Sequence, residues 1–281
     1  MEKLLKLATR GSNLALAQFQ IVSESLNKRG IKAEPVVIRS HGEIDTITPL
    51  YKMGEKGIFV KKLNELVLQG EVDGAVHSAK DIPTGMDDDL EISFYSKRGD
   101  PRDYFVSETE MHSFKGTVGS SSIRRRTFLS LFNNELQFRD IRGNIDTRID
   151  KWKKGEVDSL VIAKVALDRL GISVPGAPIP INICPPDPNQ GFIAVVSRKK
   201  SSASETLSLI QEAQAEWEAK TEREIMEKLD LGCDQAVSVF ADFNLKKIKF
   251  SYANEENRFD LSFAGKIGNG DILKMRDIIG R

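Results

Sequence analysis

One order of residues recurs along this chain and restricts its fold more than any other feature. A short apolar run gives way to a corner of glycine or hydroxyl residues, and a helical apolar repeat follows. Residues 4–8 read as a strand, Thr9-Arg10-Gly11-Ser12-Asn13 as the corner, and Leu14, Leu16, Ala17, Ile21, Val22 and Leu26 as a helix face. Ser12 or Asn13 is the expected N-cap. Residues 33–39 read as a second strand, Phe59, Leu63, Leu66 and Val67 as a second helix, and residues 73–76 as a third strand. Strand, helix, strand in this order predicts a parallel α/β layout, whose ligands sit at the strand C-termini.

The third strand runs into V-H-S-A-K-D-I-P (76–83), where Pro83 stops any regular element and pushes Ile82 toward extended backbone. This corner sets Lys80 beside Asp81, a carboxylate held by a neighbouring charge and suited to proton transfer or to holding a cation. A solvated ion pair at a strand end is the plain alternative.

The same order returns downstream. A strand over 117–119 enters Gly119-Ser120-Ser121-Ser122-Ile123-Arg124-Arg125-Arg126, and a strand over 137–141 enters Arg142-Gly143-Asn144, with a helix carrying Arg148 beyond. Adjacent helical residues diverge, so Arg124 and Arg125 are expected to matter more than Arg126. Three separate corners therefore carry arginine, and the guanidinium fork binds carboxylate or phosphate in a bidentate manner. A ligand rich in such groups fits this pattern. Nucleic acid fits less well: the arginine segment has no interleaved aromatics, and 41 basic residues are balanced by 41 acidic ones.

Other stretches set the organisation. Residues 45–56 lack periodicity and read as a loop able to close over a cleft, residues 97–103 as a polar hinge, and residues 174–188 as a proline-rich crossover without regular structure. Residues 202–229 are strongly helical, as one helix or two, with Gly232 at the end. Strands over 236–243, 246–252 and 259–264 with a closing helix form a small α+β unit. No internal repeat is visible. No apolar run of about 18 residues predicts a membrane span, and the first residues lack the apolar core of a signal peptide. Two cysteines, Cys184 and Cys233, read as free thiols of a cytosolic protein.

Taken in order, A-T-R-G-S-N-L-A-L-A-Q (8–18), G-E-K-G-I-F-V-K-K-L (54–63), V-H-S-A-K-D-I-P (76–83), G-S-S-S-I-R-R-R (119–126), R-G-N-I-D-T-R (142–148), D-R-L-G (168–171), N-Q-G (189–191) and L-G-C (231–233) resemble the porphobilinogen deaminase, or hydroxymethylbilane synthase, family nearly end to end. The resemblance implies two periplasmic-binding-protein-like α/β domains with mixed sheets plus a small α+β C-terminal domain, at 1–96 with 190–212, at 97–189 and at 213–281. It implies a cytoplasmic, monomeric transferase without metal that joins four molecules of porphobilinogen head to tail, releasing four ammonias. A dipyrromethane cofactor would be tethered by thioether to Cys233. Asp81 matches the family's catalytic carboxylate. Cofactor binding would fall to Lys80, Asp81, Ser122, Arg124, Arg125, Arg142 and Gly143, and substrate binding to Arg10, Ser12, Phe59, Arg148, Arg169 and Gln190, with 45–56 as the lid. A buried carboxylate would stabilise the cation left when ammonia departs, while the arginines orient the pyrrole carboxylates. The chain departs from the family pattern at Leu231 and Ala236 around the cysteine, at Asn189, Phe192 and Val196 in the crossover, and at Ala166. A solute-binding protein of similar two-lobed build would explain the arginines but has no use for Asp81 or Cys233.

Overall fold

The structure, a computed structural model, describes residues 4–38, 58–231 and 235–280. In chain order the elements begin with β1 (Leu4–Arg10), α1 (Asn13–Asn27), β2 (Lys32–Ile38), α2 (Ile58–Gln69), β3 (Gly74–Ser78) and β4 (Leu90–Tyr95). There follow β5 (Asp103–Val106), β6 (Gly116–Gly119), α3 (Ile123–Phe132), β7 (Leu136–Arg139), α4 (Ile145–Lys153), β8 (Ser159–Ala163), α5 (Lys164–Leu170) and β9 (Gly176–Pro178). The last are β10 (Ile193–Arg198), α6 (Ser202–Ser208), α7 (Ala213–Leu229), β11 (Ala236–Asp242), β12 (Lys247–Ala253), β13 (Arg258–Ala264) and α8 (Asn269–Ile279). The chain divides into two units, Met1–Gly99 with Gly191–Glu216, and Asp100–Gln190 with Trp217–Arg281.

The first unit holds a mixed sheet in the order β2-β1-β3-β10-β4. β1 pairs in parallel with β2 and β3, while β10 runs antiparallel to β3 and β4. Because β3 is central, it is apolar on both faces, and Ala75, Val76 and His77 are all buried. Leu5, Leu7, Phe19, Val22, Leu26, Val76, Phe94, Ile193, Val195 and Leu207 form its core.

The second unit repeats the pairing pattern in a sheet ordered β7-β6-β8-β5-β9. β6 is parallel to β7 and β8, and β5 is antiparallel to β8 and β9. Laid strand on strand, β1-α1-β2 matches β6-α3-β7. Ser12 and Ser122 then hold the same position, and each caps its helix, accepting from Ala15 N and Arg125 N at 3.3 and 3.4 Å. The two halves share this topology although no repeat is visible in the sequence. Within the same unit, β11, β12 and β13 form an antiparallel sheet backed by α7 and α8, with Ile225, Val239, Ile248, Phe250 and Met275 in its core. Ala236 and Ala253 belong instead to the core that holds Phe105, Phe128, Leu129 and Val161. The small sheet thus packs directly on α3.

Several expectations are corrected. Asp103, placed in a polar hinge, opens β5. The crossover contains β9, paired with β5 along Gly176, Ala177 and Pro178; Gly176 has φ +128°, and a Cβ there would lie 2.0 Å from the Phe105 carbonyl oxygen. Residues 202–229, expected as one helix or two, form two, α6 and α7. Helix α7 ends at Leu229, with Asp230 in the left-handed region at φ 52°. Gly232, the expected stop, lies outside the described residues.

Candidate active site

In the first unit, β1 delivers Arg10 to its C-terminal end. Its guanidinium carbon stands 4.6 Å from the centre of the Phe59 ring on α2, a cation–π pairing. Ile38, Lys62 and Leu63 complete a shallow cleft around the pair. The Nε of Arg10 is buried without a hydrogen-bond partner among the described residues. Ser12 beside it is used as the α1 cap.

Lys80 and Asp81 lie on a single 3₁₀ turn, Ala79–Asp81, immediately after β3. The turn is held from both sides: Ala79 N donates to Phe192 O at 3.1 Å, Ile82 N to Ala79 O at 3.2 Å, and Gln18 Nε2 on α1 to the Ser78 hydroxyl at 2.7 Å. Ala79 and Ile82 are buried, so the turn rotates Asp81 outward; it is exposed and Lys80 half-buried. The expectation of a buried Asp81 is thus corrected. Upstream, His77 is buried and its Nε2 meets Asn64 Oδ1 at 3.0 Å. An amide oxygen only accepts, so Nε2 carries the proton. Burial, and then the charge of Arg10, push the imidazole down to about 3, leaving it neutral at ordinary pH.

In the second unit two corners are clasped together. The Ser121 hydroxyl donates to Ile141 O at 3.0 Å and accepts from Ile141 N at 3.2 Å, tying the β6–α3 corner to the loop after β7. Gly143 in that loop has φ +104°, and a Cβ there would come within 2.7 Å of Thr147. Its carbonyl accepts from Arg148 Nε at 2.9 Å. Arg142 and Arg148 are half-buried on this loop and on α4. Arg169 sits in the last turn of α5, where burial lowers its pKa to about 10 against the raising effect of Asp168.

Arg124 and Arg125 are the surprise, because both are buried and both end on Asp103. Arg124, 2% exposed, donates from Nη2 to Asp103 Oδ2 at 2.8 Å, from Nε to Asp187 Oδ1 at 3.0 Å, and from Nη1 to Pro185 O and, at 3.3 Å, to Cys184 Sγ. Burial disfavours its charge, but Asp103, Asp187 and Cys184 together raise its pKa well above the ordinary value. Arg125 donates from Nη2 to Asp103 Oδ1 at 2.7 Å and from Nη1 to Val161 O at 3.0 Å, and its Nε has no partner among the described residues. Gln190, expected at the substrate, is 1% exposed, and its amide nitrogen donates to Pro101 O and Asp103 Oδ1 at 2.7 and 3.0 Å. Cys184 is packed in the same cluster, and burial pushes its thiol up to about 12, too high for a reactive thiolate. Cys233 and residues 45–56 lie outside the described residues.

Sequence reasoning missed Asp103. The Arg-Asp pair running into an apolar stretch was the available signal, within residues expected to form a polar hinge. Among the described residues there is no cluster of His, Cys, Asp and Glu able to hold a metal, and no helix is long and apolar enough to cross a membrane.

The class is therefore an α/β protein with two mixed five-stranded sheets and a small antiparallel sheet, bearing arginines at strand-to-helix corners. Residues 5–206 match the family described as porphobilinogen deaminase, dipyromethane cofactor binding domain. A probable porphobilinogen deaminase of Picrophilus torridus is 38% identical over 270 residues, covering 92% of this chain and 96% of its own. One from Thermoplasma volcanium is 42% identical over 239 residues, covering 84% and 80%. Solved structures with a similar course include the methionine-binding protein MetQ (TM-score 0.43, 11% identity, 78% of this chain and 94% of that one) and the Treponema pallidum lipoprotein Tp32 (TM-score 0.44, 12% identity, 75% and 91%). The chain belongs to the porphobilinogen deaminase family.

Proposed function

We propose that this protein is a transferase that condenses four molecules of porphobilinogen head to tail, with loss of four ammonias, to give hydroxymethylbilane. Family membership carries the class of reaction, and the retained corners carry the assignment of residues. A dipyrromethane bound by thioether to Cys233 would supply the pyrrole carbon to which the first substrate is joined. Its acetate and propionate groups need hydrogen-bond donors, and the second unit offers the Ser122 hydroxyl and the guanidinium groups of Arg125, Arg142 and Arg148. The buried Nε of Arg125 lacks a partner among the described residues, as expected of a donor kept for a ligand. Ala236, three residues after Cys233 in the sequence, is buried in one core with Phe128 and Leu129 of α3, the helix that carries Arg125.

In the first unit, Arg10 and Lys80 hold substrate carboxylates, with Phe59 packed under Arg10. Asp81, as a carboxylate, accepts the hydrogen bond of the pyrrole N–H and stabilises the cation left when the aminomethyl nitrogen departs as ammonia. Its exposure suits a group that must meet successive substrates. Residues 1–96 with 190–212, 97–189 and 213–281 are read as three domains, the chain acting as a cytoplasmic monomer. Incubation with porphobilinogen tests the reading. Ammonia should be released in step with bilane, four to one. A folded protein that binds porphobilinogen without consuming it would favour a binding module instead.

A further inference from the structure

We infer that Asp103 is a positioning residue that sets the ligand-binding geometry of Arg125. The inference rests on the reading that Arg125 holds a pyrrole carboxylate. Asp103 is 0% exposed, and a buried carboxylate persists only when paired and hydrogen-bonded. Here one oxygen accepts from Arg125 and Gln190, the other from Arg124. Neighbouring helical side chains diverge by about 100°, so Arg124 and Arg125 converge because they share this anion.

The two arginines do not come out of the arrangement alike. A guanidinium has five N–H donors. Arg124 spends four of them on Asp103, Asp187, Pro185 O and Cys184. Arg125 spends two, on Asp103 and Val161 O, and its Nε has no partner among the described residues. Arg125 is thus the member of the pair with donors to offer, and Asp103 is the group that fixes where they point. Asp187 also pairs with Arg124 but is not among the partners of Arg125.

The test measures kcat/KM for porphobilinogen, and by intact mass the fraction of protein carrying the two-pyrrole excess, in wild-type protein and in Asp103→Asn, Asp187→Asn, Arg125→Gln and the Asp103→Asn/Arg125→Gln double variant. Because Arg125 is assigned to the tethered pyrroles that receive the substrate, Asp103→Asn, nearly isosteric, should lower kcat/KM of the loaded protein by about 10- to 100-fold, as for loss of a charge-assisted hydrogen bond. The same change in the Arg125→Gln background should add less than about twofold, and Asp187→Asn should leave kcat/KM within about twofold. A folded Asp103→Asn protein with wild-type kcat/KM and loading, or an effect undiminished in the Arg125→Gln background, overturns the inference. Should Asp103→Asn fail to fold, Asp103→Glu keeps the charge and moves it by one methylene. A fall in kcat/KM that vanishes beside Arg125→Gln is then expected, and wild-type kcat/KM refutes the role. Failure of wild-type protein to consume porphobilinogen would instead overturn the functional reading.

Discussion

Acidification should unfold this protein partly through one side chain, His77. The residue is 6% exposed on the central strand β3, with its protonated Nε2 on Asn64, and its pKa falls from 6.5 to about 3. The folded state thus binds the proton more weakly than the unfolded chain. The contribution of His77 to stability is complete above pH 6.5 and is lost as the pH falls toward 3. The slope is about 1.4 kcal/mol per pH unit for one proton, so from pH 7 to pH 5 the loss is about 2 kcal/mol. His77→Gln removes the titration while retaining an N–H able to reach Asn64. Urea unfolding of both proteins at pH 7 and pH 5 isolates the effect, because the carboxylates titrate alike in each. Wild type should lose about 2 kcal/mol more than the variant. Equal losses in the two proteins, or a wild type that gains stability on acidification, would refute the reasoning.

Asp81→Asn should leave the thermal midpoint within a degree or two, since the side chain is exposed, yet lower kcat by about 10²- to 10⁴-fold; a variant with normal turnover would remove Asp81 from the chemistry. Asn189 has φ 61°, and donates to Ala219 O at 3.0 Å and through its backbone N to Glu222 Oε2 at 2.7 Å. Asparagine tolerates left-handed backbone, and its side-chain amide adds bonds that glycine would lack. Asn189→Ala should cost about 2–3 kcal/mol in denaturant unfolding, more than Asn189→Gly.

The strands that carry the corners were legible because each pairs an apolar run with a small-residue turn. That signal is local, and Ser12, Ser122 and the Ala79–Asp81 turn fall where it puts them. Strand β5 was not legible: it opens on a charge, and Asp103 is stable in the interior only because Arg124 and Arg125, some twenty residues away, neutralise it. Strand β9 was hidden by its proline and glycine, acceptable because it lies at the sheet edge. The likeness of the two large sheets resides in strand connection rather than residue identity, so the sequence does not display it. Gln190 was read from the family motif, and only coordinates reveal that its amide nitrogen serves Asp103.

The account turns on a pyrrole chain tethered to sulfur, and intact mass spectrometry of the purified protein addresses that most directly. The predicted result is a mass excess equal to two pyrrole units that is absent from Cys233→Ser. An unmodified wild-type protein that nonetheless makes bilane, or an excess that survives in Cys233→Ser, would contradict it.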